Sequence, residues 1–293
     1  MHRFSGAFLV TAVFVSILAG ASWAADDGEP TGWYLDAELA MVATSGNSET
    51  STLGFGGKLR RLWTKSELTF DGGATQSESS IITRTAQGTI PDYEVHEDKE
   101  TTKTAELYFA RGWYKYNFSP KFFAFSGVDW MSNRFAGIDS RFLMALGAGN
   151  TWTDTGKFKF STHYSMTYTF EEDVVENPFV KTDFPGFRLG YGLEAQLSNS
   201  TKFESNLVAD WNIDDMDDVR ADWYNALPVS ISETLQLMPA VRVLWRNEPA
   251  LTEIPLVDGG GVPTGDMVPA QLKNTDIIFT LALVVKLGPK AQD

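Results

Sequence analysis

Residues 157–170, KFKFSTHYSMTYTF, carry an aromatic or apolar side chain at almost every second position and a polar one at the positions between. Phe158, Phe160, Tyr164, Met166, Tyr168 and Phe170 share one face, broken only by Thr162. Lys157, Lys159, Ser161, His163, Ser165, Thr167 and Thr169 share the other. Successive side chains of a strand point to opposite sides, so this stretch reads as a β-strand with one greasy and one wet surface. At about 3.3 Å per residue it spans roughly 40 Å, long for a globular strand and suited to a tilted membrane crossing.

The same period marks strands over residues 33–45, 51–63, 66–76, 104–118, 121–133, 141–152, 187–197, 202–213, 220–231, 235–246 and 273–287. Within 104–118, Arg111 and Lys115 set the odd positions inward, while Leu107, Phe109 and Trp113 disagree and imply a bulge or a mis-phased end. Segments 77–103 and 247–271 lose the period and read as long exposed loops. Pro228 and Pro239 remove two ladder donors, which a closed sheet accommodates at a strand end or a bulge.

Twelve strands follow, each joined to the next by a hairpin, and their connections sort by length. Those at Thr64, Ser119, Asp154, Asn199 and Glu233 are a few residues long. The alternate set holds 77–103, the acidic segment 171–183, the run Asp214, Asp215, Asp217 and Asp218, and 247–271. Short periplasmic turns and long outer loops are the habit of outer-membrane barrels, whereas a soluble sandwich has no reason to alternate in this way. Trp33, Trp63, Phe118, Phe122, Trp152 and Phe158 gather toward one end of the strands. Tyr168, Phe170, Phe187, Trp211, Trp223 and Trp245 gather toward the other, as two interfacial girdles would. The expected fold is all-β: a single antiparallel transmembrane β-barrel of about twelve up-and-down strands over residues 33–288.

The start of the chain agrees. Arg3, the apolar run Phe8 to Leu18 and the small-x-small site Ser22-Trp23-Ala24 form a secretory leader, 1–24, to be cleaved before Ala25. A short periplasmic segment, 25–32, and a polar tail, 289–293, would flank the barrel. The chain has no Cys, which excludes a lipoprotein anchor, a disulfide framework and thiolate metal sites. A net charge of −14 argues against a nucleic-acid partner. The expected location is the bacterial outer membrane, with its lipid, lipopolysaccharide and the barrel-assembly machinery as partners.

Gly46-Asn47-Ser48 before a hairpin, the run Phe118-Ser119-Pro120-Lys121-Phe122-Phe123-Ala124, then Phe135-Ala136-Gly137-Ile138-Asp139 and the ending Ala282-Leu283-Val284-Val285-Lys286-Leu287 resemble the YdiY-type family of salt-induced outer-membrane proteins. The resemblance covers residues 33–287. It implies a barrel in the outer membrane and, the family's biochemical role being undefined, carries over no catalytic residue. The chain departs from the family pattern in segments 77–103 and 247–271, and it ends on Leu287 and a polar tail where an aromatic is usual.

Charges on the wet face suggest cross-strand pairing. If the first turn closes on Ser48, Asp36 faces Arg60 and Glu38 faces Lys58; if Thr64-Lys65 is a two-residue turn, Lys58 also faces Asp71. With His163, Arg188, Glu194 and Asp210, these residues are expected to line the lumen. No enzyme is expected: an outer-membrane lipase would use His163 as base, but the phase of the strand points that residue away from lipid. The acidic run 214–218 lacks the spaced ligands of a calcium loop, and Gly259-Gly260-Gly261 has no strand-to-helix context for phosphate, so no metal or cofactor is expected. The leading functional expectation is a small pore or passive conduit linked to an envelope or osmotic response. The alternative is a non-conducting, envelope-stabilising or surface-interaction barrel.

Overall fold

The structure is a computed structural model that describes residues 31–44, 48–89, 92–177, 180–259 and 261–288. The leader, most of segment 25–32 and the tail 289–293 lie outside the described residues. Strands β1 (Gly32–Thr44), β2 (Ser48–Leu62), β3 (Ser66–Thr89), β4 (Asp92–Ser119) and β5 (Phe122–Asn133) lead through a 3-10 turn (Arg134–Ala136) into β6 (Ile138–Asp154). Then come β7 (Phe158–Asp173), β8 (Asp183–Gln196), β9 (Lys202–Asn212), β10 (Val219–Ala226), the two-residue β11 (Val229–Ser230) and β12 (Leu235–Arg246). A hairpin of β13 (Leu251–Val257) and β14 (Pro263–Gln271) precedes β15 (Thr275–Leu287).

Strands β1 to β10 pair consecutively, and the ring closes because β15 bonds both β1 and β12 while β12 bonds β10. All these pairings are antiparallel, and they close the ring as a twelve-stranded barrel, with β1 and β15 meeting from Leu35↔Leu287 to Leu39↔Leu283. Pro239 lies at the end of the β10–β12 ladder, where its carbonyl accepts from the Leu227 N–H just past the end of β10 and the reciprocal bond that proline cannot donate falls where β10 stops.

Alternation sets which face is which. On β7, Tyr164 and Met166 are 43% and 56% exposed, whereas Ser161, His163 and Ser165 between them are 3% exposed or less. Leu35, Leu39, Leu53, Phe55, Leu146, Ile277, Phe279 and Leu283 are likewise exposed on the outer wall. The barrel therefore wears its apolar side chains outward, the reverse of a soluble core.

Two segments expected as loops are strands. β3 and β4 stay paired to Thr89↔Asp92, far past the last contact of β3 with β2 at Ile81 and of β4 with β5 at Leu107, so most of 77–103 is strand and its outer part, 82–89 with 92–99, is a two-stranded ribbon. A free ribbon has water on both faces, so it needs no apolar period, and its Ser- and Thr-rich sequence hides it from a reading based on hydrophobic alternation. In 247–271, Leu251↔Gln271 to Val257↔Pro263 form a separate two-stranded sheet; both strands are edges, which tolerate the prolines that masked them. Leu107, Phe109 and Trp113 do not break the phase of 104–118: they face inward beside Lys115 and are buried. The bulges expected in that segment fall at its two ends, at Thr104 opposite Ser77/Glu78 and at Phe118 between Asn117 and Ser119.

Candidate functional site

Large side chains occupy part of the lumen. Trp113, Phe123, Phe125, Leu143 and Ala145 pack together on the wall formed by β4, β5 and β6. Tyr224, Ala226, Met238, Ala240, Ala282 and Val284 form a second buried cluster on β10, β12 and β15. Glycines make the room. A Cβ at Gly127, Gly147, Gly149 or Gly190 would collide with Trp113, Phe125, Phe123 or His163 respectively, so each large side chain lies flat over a bare stretch of wall. In the sequence Trp113 reads as a break in phase, and neither Phe123 nor Phe125 is singled out. The usable signal was an aromatic on the polar phase facing a glycine, as in the pairs Trp113↔Gly127, Phe125↔Gly147 and Phe123↔Gly149.

Charge is organised in rungs. Lys286, Asp36, Lys58, Asp71, Arg111 and Asp129 stand opposite one another on β15, β1, β2, β3, β4 and β5, alternating in sign across six strands. Facing opposite charges favour this register over its neighbours. Arg111 reaches Asp129 at 3.1 Å and Asp71 at 3.6 Å. Across the lumen the Arg188 guanidinium donates to both Asp210 oxygens at 2.7 and 3.0 Å, and Arg242 does the same to Asp222 at 2.8 and 2.5 Å.

The expected residues are thus placed as follows. Asp36, Lys58 and Asp71 share one rung, and Arg188 meets Asp210. The pairs expected across the first hairpin are corrected by two residues: Asp36 faces Lys58, while Arg60 faces Tyr34 and Glu38 faces Gly56, because the hairpin is symmetric about position 47. A two-residue slip preserves the face, so all of these side chains stay on the lumen side. Arg60 lies over the Tyr34 ring and 4.0 Å from Glu67. Glu194 faces Lys159 and Glu204. His163 meets Phe125 edge-on, with ring centroids 5.9 Å apart.

At the end bearing the longer connections, one carboxylate serves three arginines. Glu171 accepts from Arg220, forms an ion pair with Arg246 at 2.9 Å and lies 3.7 Å from Arg141, while Asp218 accepts from Arg220 at 2.8 Å. Sequence reading noted Glu171 only as part of an acidic loop. Above this cluster a chamber of about 380 Å³ is lined by Arg141, Arg220, Arg242 and Arg246 below and by Phe135, Ile138, Pro249, Ala250 and Leu272 around and above. Its volume is at the small end of the roughly 300–1,000 Å³ usual for ligand sites. A smaller cavity, about 80 Å³, lies deeper and shares Arg141, Asp210, Asp222 and Arg242 with it.

The roof is a strap. The β12–β15 connection lies opposite the β5–β6 connection in the ring, yet Ala250 and Leu272 pack on Gly137, which closes the 3-10 turn at φ 80°. Gly137→Val is expected to lift this strap. A β-branched residue strains at that φ, and its Cβ would lie 2.5 Å from that of Ala250. Limited proteolysis within 247–274 should speed up about tenfold while the barrel resists as before. Unchanged cleavage would mean that the strap is held elsewhere.

The family model described as "Protein of unknown function, DUF481" matches residues 37–253, most of the chain. The chain belongs to the DUF481 family. This family is also called YdiY-like, so the resemblance read from the hairpin and turn motifs holds. No curated protein matches the sequence of this DUF481 member. Among solved structures it is similar to the NanC porin (TM-score 0.40, 8% identity, covering 86% of this chain and 97% of that one). It is also similar to a Pseudomonas aeruginosa FadL homologue (TM-score 0.37, 9% identity, 87% and 75% covered). A third is the CymD monoaromatic hydrocarbon channel (TM-score 0.37, 10% identity, 96% and 98% covered). Likeness this remote carries no argument about what the DUF481 barrel does.

Proposed function

We propose that this DUF481 barrel resides in the bacterial outer membrane as a non-conducting envelope protein, sealed across its lumen, whose working surface is the end with the long ribbon, the strap and the chamber. The outward apolar wall, the two aromatic girdles and the leader expected at 1–24 support the location. One observation carries the closed state: a water-wide channel leaves its lining accessible, whereas Phe123 and His163, both facing the lumen, are 1% and 2% exposed. Insertion through the barrel-assembly machinery and contact with lipopolysaccharide belong to the same reading, which needs no catalytic residue.

Planar-bilayer recording of the refolded protein tests it: a silent bilayer is expected, and steady unit steps would overturn it in favour of the pore. A gated conduit is the second reading, favoured by the chamber and the deeper cavity lying in succession beneath a strap. Steps that appear only with Gly137→Val would select it. In cells, deletion should alter osmotic or detergent tolerance and leave small-solute uptake unchanged.

A further inference from the structure

We propose that the end of the barrel with the short turns carries a binding site for the phosphate of an inner-leaflet glycerophospholipid, built from the Arg61 guanidinium between the indoles of Trp33 and Trp63. This rests on the outer-membrane reading above. Arg61 occupies the outward phase of β2, in line with Leu53, Phe55 and Leu59, and Trp33 is its partner on β1. Its guanidinium carbon lies 5.6 Å from the Trp33 ring centroid and 5.4 Å from that of Trp63. Both indoles are exposed.

Three features mark the position. First, among the described residues it is the one charged side chain on the outward phase of the wall between this end and the opposite girdle; the outward Glu106, Glu172 and Asp183 all lie toward the loop end. A charge facing hydrocarbon is costly, and at girdle depth the available counter-charge is a lipid headgroup. Second, a cation over aromatic faces is attracted by the ring quadrupole without spending its N–H donors. No protein acceptor among the described residues takes those donors, and a planar fork of unspent donors matches the oxygens of a phosphodiester. Third, Lys65 is exposed in the turn two positions past Trp63, which places a second cation on the same rim.

Native mass spectrometry of the full chain purified in detergent tests the site, with phosphatidylglycerol, diacylglycerol of the same acyl chains, and inorganic phosphate as separate probes. Wild type is expected to retain phosphatidylglycerol at about tenfold lower lipid concentration than Arg61→Gln, the loss typical of one charge-assisted phosphate contact. Arg61→Lys, which keeps the charge and loses the fork, should fall between. Diacylglycerol should bind both proteins alike. Equal retention of phosphatidylglycerol by Arg61→Gln overturns the proposal, and so does displacement of the lipid by millimolar inorganic phosphate, which would make this a free-anion site. A chain recovered outside the outer-membrane fraction would instead overturn the location, whatever Arg61 does.

Discussion

Arginine in place of Tyr164 is expected to lower unfolding stability by about 2–4 kcal/mol, the cost of a cation on the lipid face of a barrel near mid-membrane. Tyr164 lies midway along β7 between the girdle residues Phe158 and Phe170, with Ala148 and Leu189 as its strand partners. Its neighbour His163 points the other way, so His163→Gln removes an aromatic edge contact but brings no charge to lipid and should cost about 1 kcal/mol. Guanidinium unfolding in phospholipid vesicles, followed by tryptophan fluorescence, measures both. Equal losses would sink the assignment of inner and outer faces.

That assignment was legible in the sequence because the bilayer makes alternation strict: every lipid-facing position from Ile277 to Leu287 must be apolar, whatever packs inside. Short turns were legible for a related reason, since Thr64-Lys65 leaves one register for β2 on β3 and puts Lys58 opposite Asp71. The first hairpin gave no such constraint. Glycine, asparagine and serine at 46–48 suit several turn geometries, and a pairing centred on Ser48 keeps every side chain on the same face as the one centred on position 47.

The lumen was harder to read. Hydrophobic period reports a boundary between oil and water, and where large side chains pack inside the barrel that boundary is gone. Trp113 and Phe123 sit among lysines and aspartates because facing glycines leave space, a three-dimensional fit that no single strand displays. Lys115 over the Phe123 ring at 4.5 Å shows why the mixture is stable: the cation rests on an aromatic face instead of water. Segment 77–103 and the strap escaped for the complementary reason, water or prolines having replaced the apolar contrast.

Glu171→Ala is expected to be the most damaging change inside the barrel. Glu171 is 5% exposed and holds Arg141, Arg220 and Arg246, so its loss leaves Arg220 and Arg246 to Asp218 and takes away the carboxylate beside Arg141. Breaking a buried ion pair by removing one partner costs about 3–5 kcal/mol, chiefly because the remaining charge is uncompensated. That cause makes the result separable from a simple packing loss. If uncompensated charge is the problem, adding Arg246→Met to Glu171→Ala should recover part of the loss, even though it removes yet another native contact. If Glu171 matters only as volume, Glu171→Gln should be harmless and the second substitution should add to the damage. Guanidinium midpoints of the four proteins decide between these. Because the cluster forms the floor of the chamber, the same series also tests whether the outer mouth is built on it: amide exchange in 247–250 should quicken with Glu171→Ala and slow again with the double variant.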